Sequence, residues 1–316
     1  WLKSRNLSTS HLLTDRVRGA PATVFAELSA AESNSNGGGF INSFVSDGFT
    51  VTSGGSNDNA VNDSGDTYVA WNWLAGGSAV TNNDGDITSS VSANTDAGFS
   101  IVTYTGSSSG ETVGHGLDSA PEMIWVKGRS VGHNWAVYHQ GVQDTTTNGF
   151  LELNSTAAVQ TGSNPRFLNG TTSTSVPTNT IFNVNNYSGS STNDNGTTYV
   201  AYCFHSVEGY CKVGRYRGNS NADGTTVNCG FRPAWILIKS QNSGTNWAIY
   251  DSKRLGYNVD NNIQRIAAAA EQTDDDIDLY STGFKFRRSS TNFNNSSANF
   301  VYIAFAEQPF KYATAR

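Results

Sequence analysis

The chain states one pattern three times, and that repetition limits what it can fold into. Lys127 stands eight residues before Trp135 (127 to 135), in the run Asn134-Trp135-Ala136-Val137-Tyr138-His139. Lys239 stands eight residues before Trp247 (239 to 247), in Asn246-Trp247-Ala248-Ile249-Tyr250-Asp251. Lys3 stands eight residues before His11 (3 to 11), in His11-Leu12-Leu13-Thr14-Asp15. Repeats of about 100 residues with no helical period point to tandem β-domains rather than one enzyme core.

Other landmarks keep the same order. Phe49, Phe182 and Phe284 precede Tyr68-Val69-Ala70-Trp71, Tyr199-Val200-Ala201-Tyr202 and Tyr302-Ile303-Ala304-Phe305. Repeats two and three open on Gly98-Phe99-Ser100-Ile101-Val102 and Gly209-Tyr210-Cys211-Lys212-Val213. Repeat one has no such opening, because Trp1 aligns with Trp125. The expected division is an incomplete first repeat at 1–75, a linker or hairpin at 76–97, a second repeat at 98–206 and a third at 207–316. The incomplete repeat should leave a sheet edge that an added strand would cover. An upstream segment, a neighbouring subunit or residues 76–97 could donate it.

Short alternating stretches separated by Gly, Asn, Ser and Asp clusters predict about seven strands per repeat. They lie near 99–104, 112–116, 122–128, 134–139, 149–154, 180–184 and 197–204 in repeat two. In repeat three they lie near 210–216, 225–230, 234–239, 246–251, 262–266, 278–286 and 299–306. The fold class is therefore all-β, as tandem β-sandwiches of jelly-roll or lectin-like type. The 16 Phe, 13 Tyr and 7 Trp can fill several small cores, which argues against disorder. One short helix is expected at Ile266–Glu271, with counterparts at Ser29–Glu32 and Ser155–Ala158.

Composition narrows the function. Net charge is −6 and Lys and Arg do not cluster, so no nucleic-acid partner is expected. No apolar run reaches the roughly 20 residues of a membrane span, so no membrane insertion is expected. The five His lack metal spacing, and no nucleophile elbow or phosphate loop is present. No enzyme activity and no cofactor are expected. Asp84 and Asp86 in one acidic turn, and Asp274-Asp275-Asp276 in another, could hold Ca²⁺. Backbone hydrogen bonding in solvated turns is the simpler use of those residues.

Two groups remain as candidate sites. Trp135, Trp247, Tyr138 and Tyr250 recur at matched positions and could stack on glycan rings or pack an interface. Their apolar neighbours favour a core role for the Trp pair. Cys211 and Cys229 flank the turn Ser220-Asn221-Ala222-Asp223 and are a candidate cross-strand disulfide, against the alternative of two buried thiols.

Gly98–Gly106, Val113–Leu117, Ala120-Pro121, Trp125–Lys127, Thr198–Tyr202, Gly230–Trp235 and Phe305–Tyr312 together carry a family resemblance. The chain resembles, over essentially its whole length, a repeat-bearing family of structural proteins from tailed bacteriophages, especially marine ones. The resemblance implies a virion component such as a fibre, tail or capsid-surface protein. It implies location on the particle surface, other virion proteins or copies of itself as partners, and host-surface glycans as a further partner. A carbohydrate-binding lectin-like module is the alternative, and a polysaccharide-degrading enzyme the third reading.

Overall fold

A computed structural model of the chain describes residues 1–308 apart from 35–36, 56–60, 109, 144–148, 162–165, 168–175, 187–191, 243, 256–257, 268 and 290–291. Sequence expectations that fall on Ala268, on the side chain of Asp275 and on residues 309–312 lie outside the described residues.

The fold is all-β. Repeat one supplies β1 (Leu2–Ser4), β2 (Leu12–Thr14), β3 (Thr23–Phe25), β4 (Phe40–Val45), β5 (Gly48–Thr52) and β6 (Tyr68–Ala70). A hairpin of β7 (Val80–Asn82) and β8 (Ser89–Asn94) follows. Repeat two supplies β9 (Phe99–Thr105), β10 (Glu111–Gly114), β11 (Met123–Gly128), β12 (Ala136–His139), β13 (Leu151–Glu152), β14 (Ile181–Val184) and β15 (Thr198–Phe204). Repeat three supplies β16 (Cys211–Arg217), β17 (Thr226–Asn228), β18 (Pro233–Ser240), β19 (Ala248–Asp251), β20 (Asp260–Arg265), β21 (Gln272–Tyr280), β22 (Gly283–Phe286) and β23 (Asn299–Ala306).

The inner sheets share one strand order. Repeat two runs β13-β12-β11-β15-β9 and repeat three runs β20-β19-β18-β23-β16. Repeat one runs β3-β2-β1-β6 and stops one strand short. The outer layers follow suit: β10 pairs β14, β17 pairs β22, and in repeat one, among the described residues, β5 pairs only β4.

Period-two alternation explains how these strands pack. On β12, Val137 faces one core while Ala136 and Tyr138 face another. Strands β11, β15 and β23 bury both faces, which is why they read as nearly continuous apolar runs. One face of every inner sheet meets a central core common to all three repeats. Trp1 and Trp125 occupy matched positions there, two residues before Lys3 and Lys127, and Trp235 joins them, with Trp1 5.9 Å from Trp125 and 6.3 Å from Trp235 between ring centroids. The other face covers a core private to each repeat.

The structure corrects four expectations. No helix forms at 266–271, 29–32 or 155–158 in their described residues. Those segments are instead irregular in their described residues, and two of them offer carbonyls to buried lysines. The single strand expected at 278–286 is instead a hairpin, the end of β21 and all of β22 joined by a turn at 281–282. Strands β16 and β17 do not pair; they lie at opposite ends of the sheet order, so the turn at 220–223 crosses between layers. Residues 76–97 do not cover repeat one. Strand β8 pairs with β9, and Ile87 bridges to Val113, so this hairpin extends repeat two.

Candidate functional site

The side chains with the most chemistry in them sit at the joints between repeats. Lys127 is fully buried and donates to Ser29 O of repeat one (3.0 Å) and to Gly128 O and His133 O of its own repeat (3.0 and 2.8 Å). Lys239 donates to Thr156 O of repeat two (3.0 Å) and to Thr245 O. Lys3 donates to Ser4 O and Leu7 O at 2.6 and 2.8 Å. Burial pushes all three amines down to about 8. Each amine is enclosed and already donating to carbonyls, so the lowered value marks a structural clamp and not a nucleophile.

The matched position eight residues on makes the next tie. Trp135 Nε1 donates to Phe25 O of repeat one (2.8 Å), and Trp247 Nε1 donates to Glu152 O of repeat two (2.9 Å). In repeat one the residue is His11. Trp1 Nε1 donates to His11 Nδ1 (3.0 Å), which leaves Nε2 as the protonated nitrogen that donates to Arg265 O of repeat three (3.0 Å). Three backbone bonds repeat the scheme: Glu32 N to Arg129 O, Val159 N to Gln241 O, and Glu271 N to Arg5 O. Repeat one therefore binds two, two binds three, and three binds one. The three repeats close a ring.

A quartet of side chains completes two joints. At the first, Arg18 pairs with Asp15 (2.5 Å) and Glu32 (2.8 Å), and Arg129 pairs with Glu32 (2.8 Å). At the third, Arg254 pairs with Asp251 (2.6 Å) and Glu271 (2.8 Å), and Arg5 pairs with Glu271 (3.0 Å). Tyr202 OH donates to Asp15, and Trp71 Nε1 donates to Asp251. Burial raises the carboxyls of Asp15, Glu32 and Glu271, but the adjoining guanidinium groups outweigh it and hold them below their ordinary values. The second joint carries His139, Val142, Val159 and Gln241 at the same places. His139 Nε2 donates to Tyr302 O (3.2 Å), and Gln241 Nε2 donates to Gly141 O (3.2 Å). Burial lowers His139 to about 4, so it is neutral.

A cleft of about 310 Å³ opens beside the first joint. Trp71, Trp125, Tyr202 and Phe204 line it from the central core. Phe44, Val45 and Leu74 are exposed at it, the last by 78 %. Trp125 Nε1 is a buried donor with no acceptor among the described residues. Asp15, the carboxylate in the cleft, is already held by Arg18 and Tyr202, which leaves it poorly placed for acid–base work.

A family model described as Domain of unknown function (DUF7483) matches residues 1–309. The chain belongs to the DUF7483 family. No curated protein and no solved structure matches it. The DUF7483 match runs across all three repeats, so the unit it describes is the ring and not the single repeat.

The aromatic and cysteine candidates fall inside the DUF7483 fold. Trp135 and Trp247 are 0 % exposed, and Tyr138 and Tyr250 are buried as well. None of the four can stack on a glycan; the Trp rings face the joints, and the Tyr rings face the private cores. Cys211 and Cys229 are free, buried thiols, as is Cys203. The carboxylates proposed for Ca²⁺ have other partners. Asp86 accepts from Thr112 N and Oγ1, Asp84 from Asn82, Asp274 from Arg265 and Asp276 from Arg288. Among the described residues no three His, Cys, Asp or Glu groups converge as a metal site. Among them, too, no helix is long and apolar enough to cross a membrane.

The joint residues escaped the sequence reading, although one signal was present. Asp15-x-x-Arg18 and Asp251-x-x-Arg254 recur at matched places, while His139-x-x-Val142 departs at both positions together.

Proposed function

We propose that this chain is a non-catalytic structural protein of a bacteriophage virion, serving assembly or host-surface attachment as a fibre, tail or capsid-surface component. One observation carries the structural half of the reading. Lys127, Lys239, His11 and His139 bond backbone carbonyls across the joints, and the Asp15–Arg18 and Asp251–Arg254 pairs are met across them by Tyr202 and Trp71. The sequence resemblance to tailed-phage structural proteins supports the virion half. Mass spectrometry of purified particles tests it: the chain should appear at a fixed copy number, and particles lacking it would overturn the assignment.

The cleft favours a second reading, as a glycan-binding module. It joins tryptophan rings to the exposed polar side chains of Arg16 and Asn72, a combination suited to sugar faces and hydroxyls. A glycan array with Trp73→Ala as control tests it. Signal lost in the variant supports binding at the cleft; an array with no signal removes the reading.

A further inference from the structure

We propose that the open side of repeat one is a docking site for an extended polypeptide strand pair resembling the chain's own segments 98–114 and 209–228. The ring itself shows what belongs there. In repeats two and three the strand corresponding to β6 is flanked on its far side, by β9 on β15 and by β16 on β23. Among the described residues nothing pairs with β6 on that side. Trp1 and Trp71 exchange both backbone hydrogen bonds, at 3.0 and 2.8 Å. In an antiparallel ladder the peptide groups of the alternate residues then point outward. Ala70 and Asn72 are those residues, and both are exposed. Their counterparts, Ala201 and Cys203 in repeat two and Ala304 in repeat three, are 0 % exposed.

The outer layer shows the same gap. Phe182 and Phe284 are 0 % exposed beneath β10 and β17, whereas Phe49 at the equivalent place on β5 is half-buried. Both layers of repeat one thus end at one side, each a strand short. A strand followed by a turn and a second strand is what covers that side in the other two repeats.

The chemistry of the occupant follows from β9 and β16. An incoming strand must be apolar on both faces, because β9 sends Phe99 and Ile101 to the central core and Val102 and Tyr104 to the private one. An aromatic residue is favoured opposite Tyr68, since Tyr104 lies flat on Tyr199 with centroids 5.1 Å apart. The start must tolerate a left-handed backbone, as at Gly98 (φ +61°) and Gly209 (φ +76°). Main-chain hydrogen bonds would supply the affinity and the alternating side chains the selectivity.

A synthetic peptide of residues 96–116 is the probe. Added to the full chain, it should bind one to one and slow amide exchange at Ala70 and Asn72 at least tenfold. A scrambled peptide should do neither. Ala70→Asp places a carboxylate where the free chain is solvated and the filled site would be dry, so it should keep the melting temperature and abolish binding. Absence of binding at millimolar peptide overturns the proposal. So does exchange at Ala70 and Asn72 that is already slow in the free chain at low concentration. Protection that appears only as the chain itself is concentrated, without peptide, overturns it in favour of a second copy.

Discussion

The joint between repeats one and two and the joint between repeats two and three hold the same strands in the same relation with different chemistry. The first uses Asp15, Arg18, Glu32 and Arg129. The second uses His139, Val142, Val159 and Gln241. All four positions change together, and the residue at the place of Tyr202 changes with them, to Ile303. An isolated change would leave a buried charge without its partner. Wholesale replacement leaves none, which is why a buried ionic network and a neutral one can serve interchangeably while a half-exchanged one cannot.

The largest expected effect breaks an ionic joint. Arg18→Ala and Arg254→Ala should each lose about 3–5 kcal/mol in denaturant unfolding, since each strands a buried Asp and a Glu. Val142→Ala at the neutral joint should lose roughly 1–3 kcal/mol, the ordinary range for a trimmed buried side chain. Equal losses at the two joints would refute the distinction.

Next is an exchange experiment. His139→Asp alone should cost roughly 3 kcal/mol, as an unpaired buried carboxylate. Adding Val142→Arg, Val159→Glu and Gln241→Arg should restore most of that loss. Additive losses across the four substitutions would show that the joints are not interchangeable frames.

The third prediction concerns pH. Burial lowers His11 from 6.5 to about 3, and His115 and His139 to about 4. The unfolded chain takes up protons below pH 6.5 that the folded chain refuses until about pH 4. The histidine contribution to stability should therefore be full above pH 6.5 and fall as pH drops toward 4, by up to about 1.4 kcal/mol per withheld proton per pH unit. Asp260, raised to about 6 by burial, works the other way: the fold holds its proton below that pH, partly offsetting the loss. His139→Gln should flatten the melting profile; an unchanged slope would place the titrating groups elsewhere.

The smallest effect is chemical. Burial raises the thiols of Cys203 and Cys229 to about 12 and that of Cys211 well above its ordinary value. A thiol reagent should leave all three unmodified in the folded chain and titrate three after unfolding. Labelling of Cys211 or Cys229 before unfolding would mean that the third repeat opens locally.

Strand positions were legible because period-two alternation survives in residues such as Val137 and Tyr138, whose faces are set locally. The destination of those faces was not. Trp135 reads as an exposed platform or a core ring depending on what lies opposite, and what lies opposite is Phe25 O, a backbone atom 110 residues away with no side-chain signature. The Ala-rich run near 267–270 has helical propensity, but tertiary bonds claim it: Gln264 Nε2 donates to Ala269 O, and Glu271 N to Arg5 O. The pairing of the strands that carry Cys211 and Cys229 was misread because a short polar turn looks the same whether it joins neighbours in one sheet or crosses between two layers.

Closure of the ring within one polypeptide has a consequence for dilution. Three separate subunits joined by these contacts would dissociate as their concentration fell, and their melting point would fall with it. Here the partners are tethered, so each meets the next at a fixed effective concentration. The melting temperature of the joints should therefore not depend on how much of the chain is present. The tether also frees the three joints from identity: a substitution in a homotrimer strikes every interface at once, whereas here it strikes one.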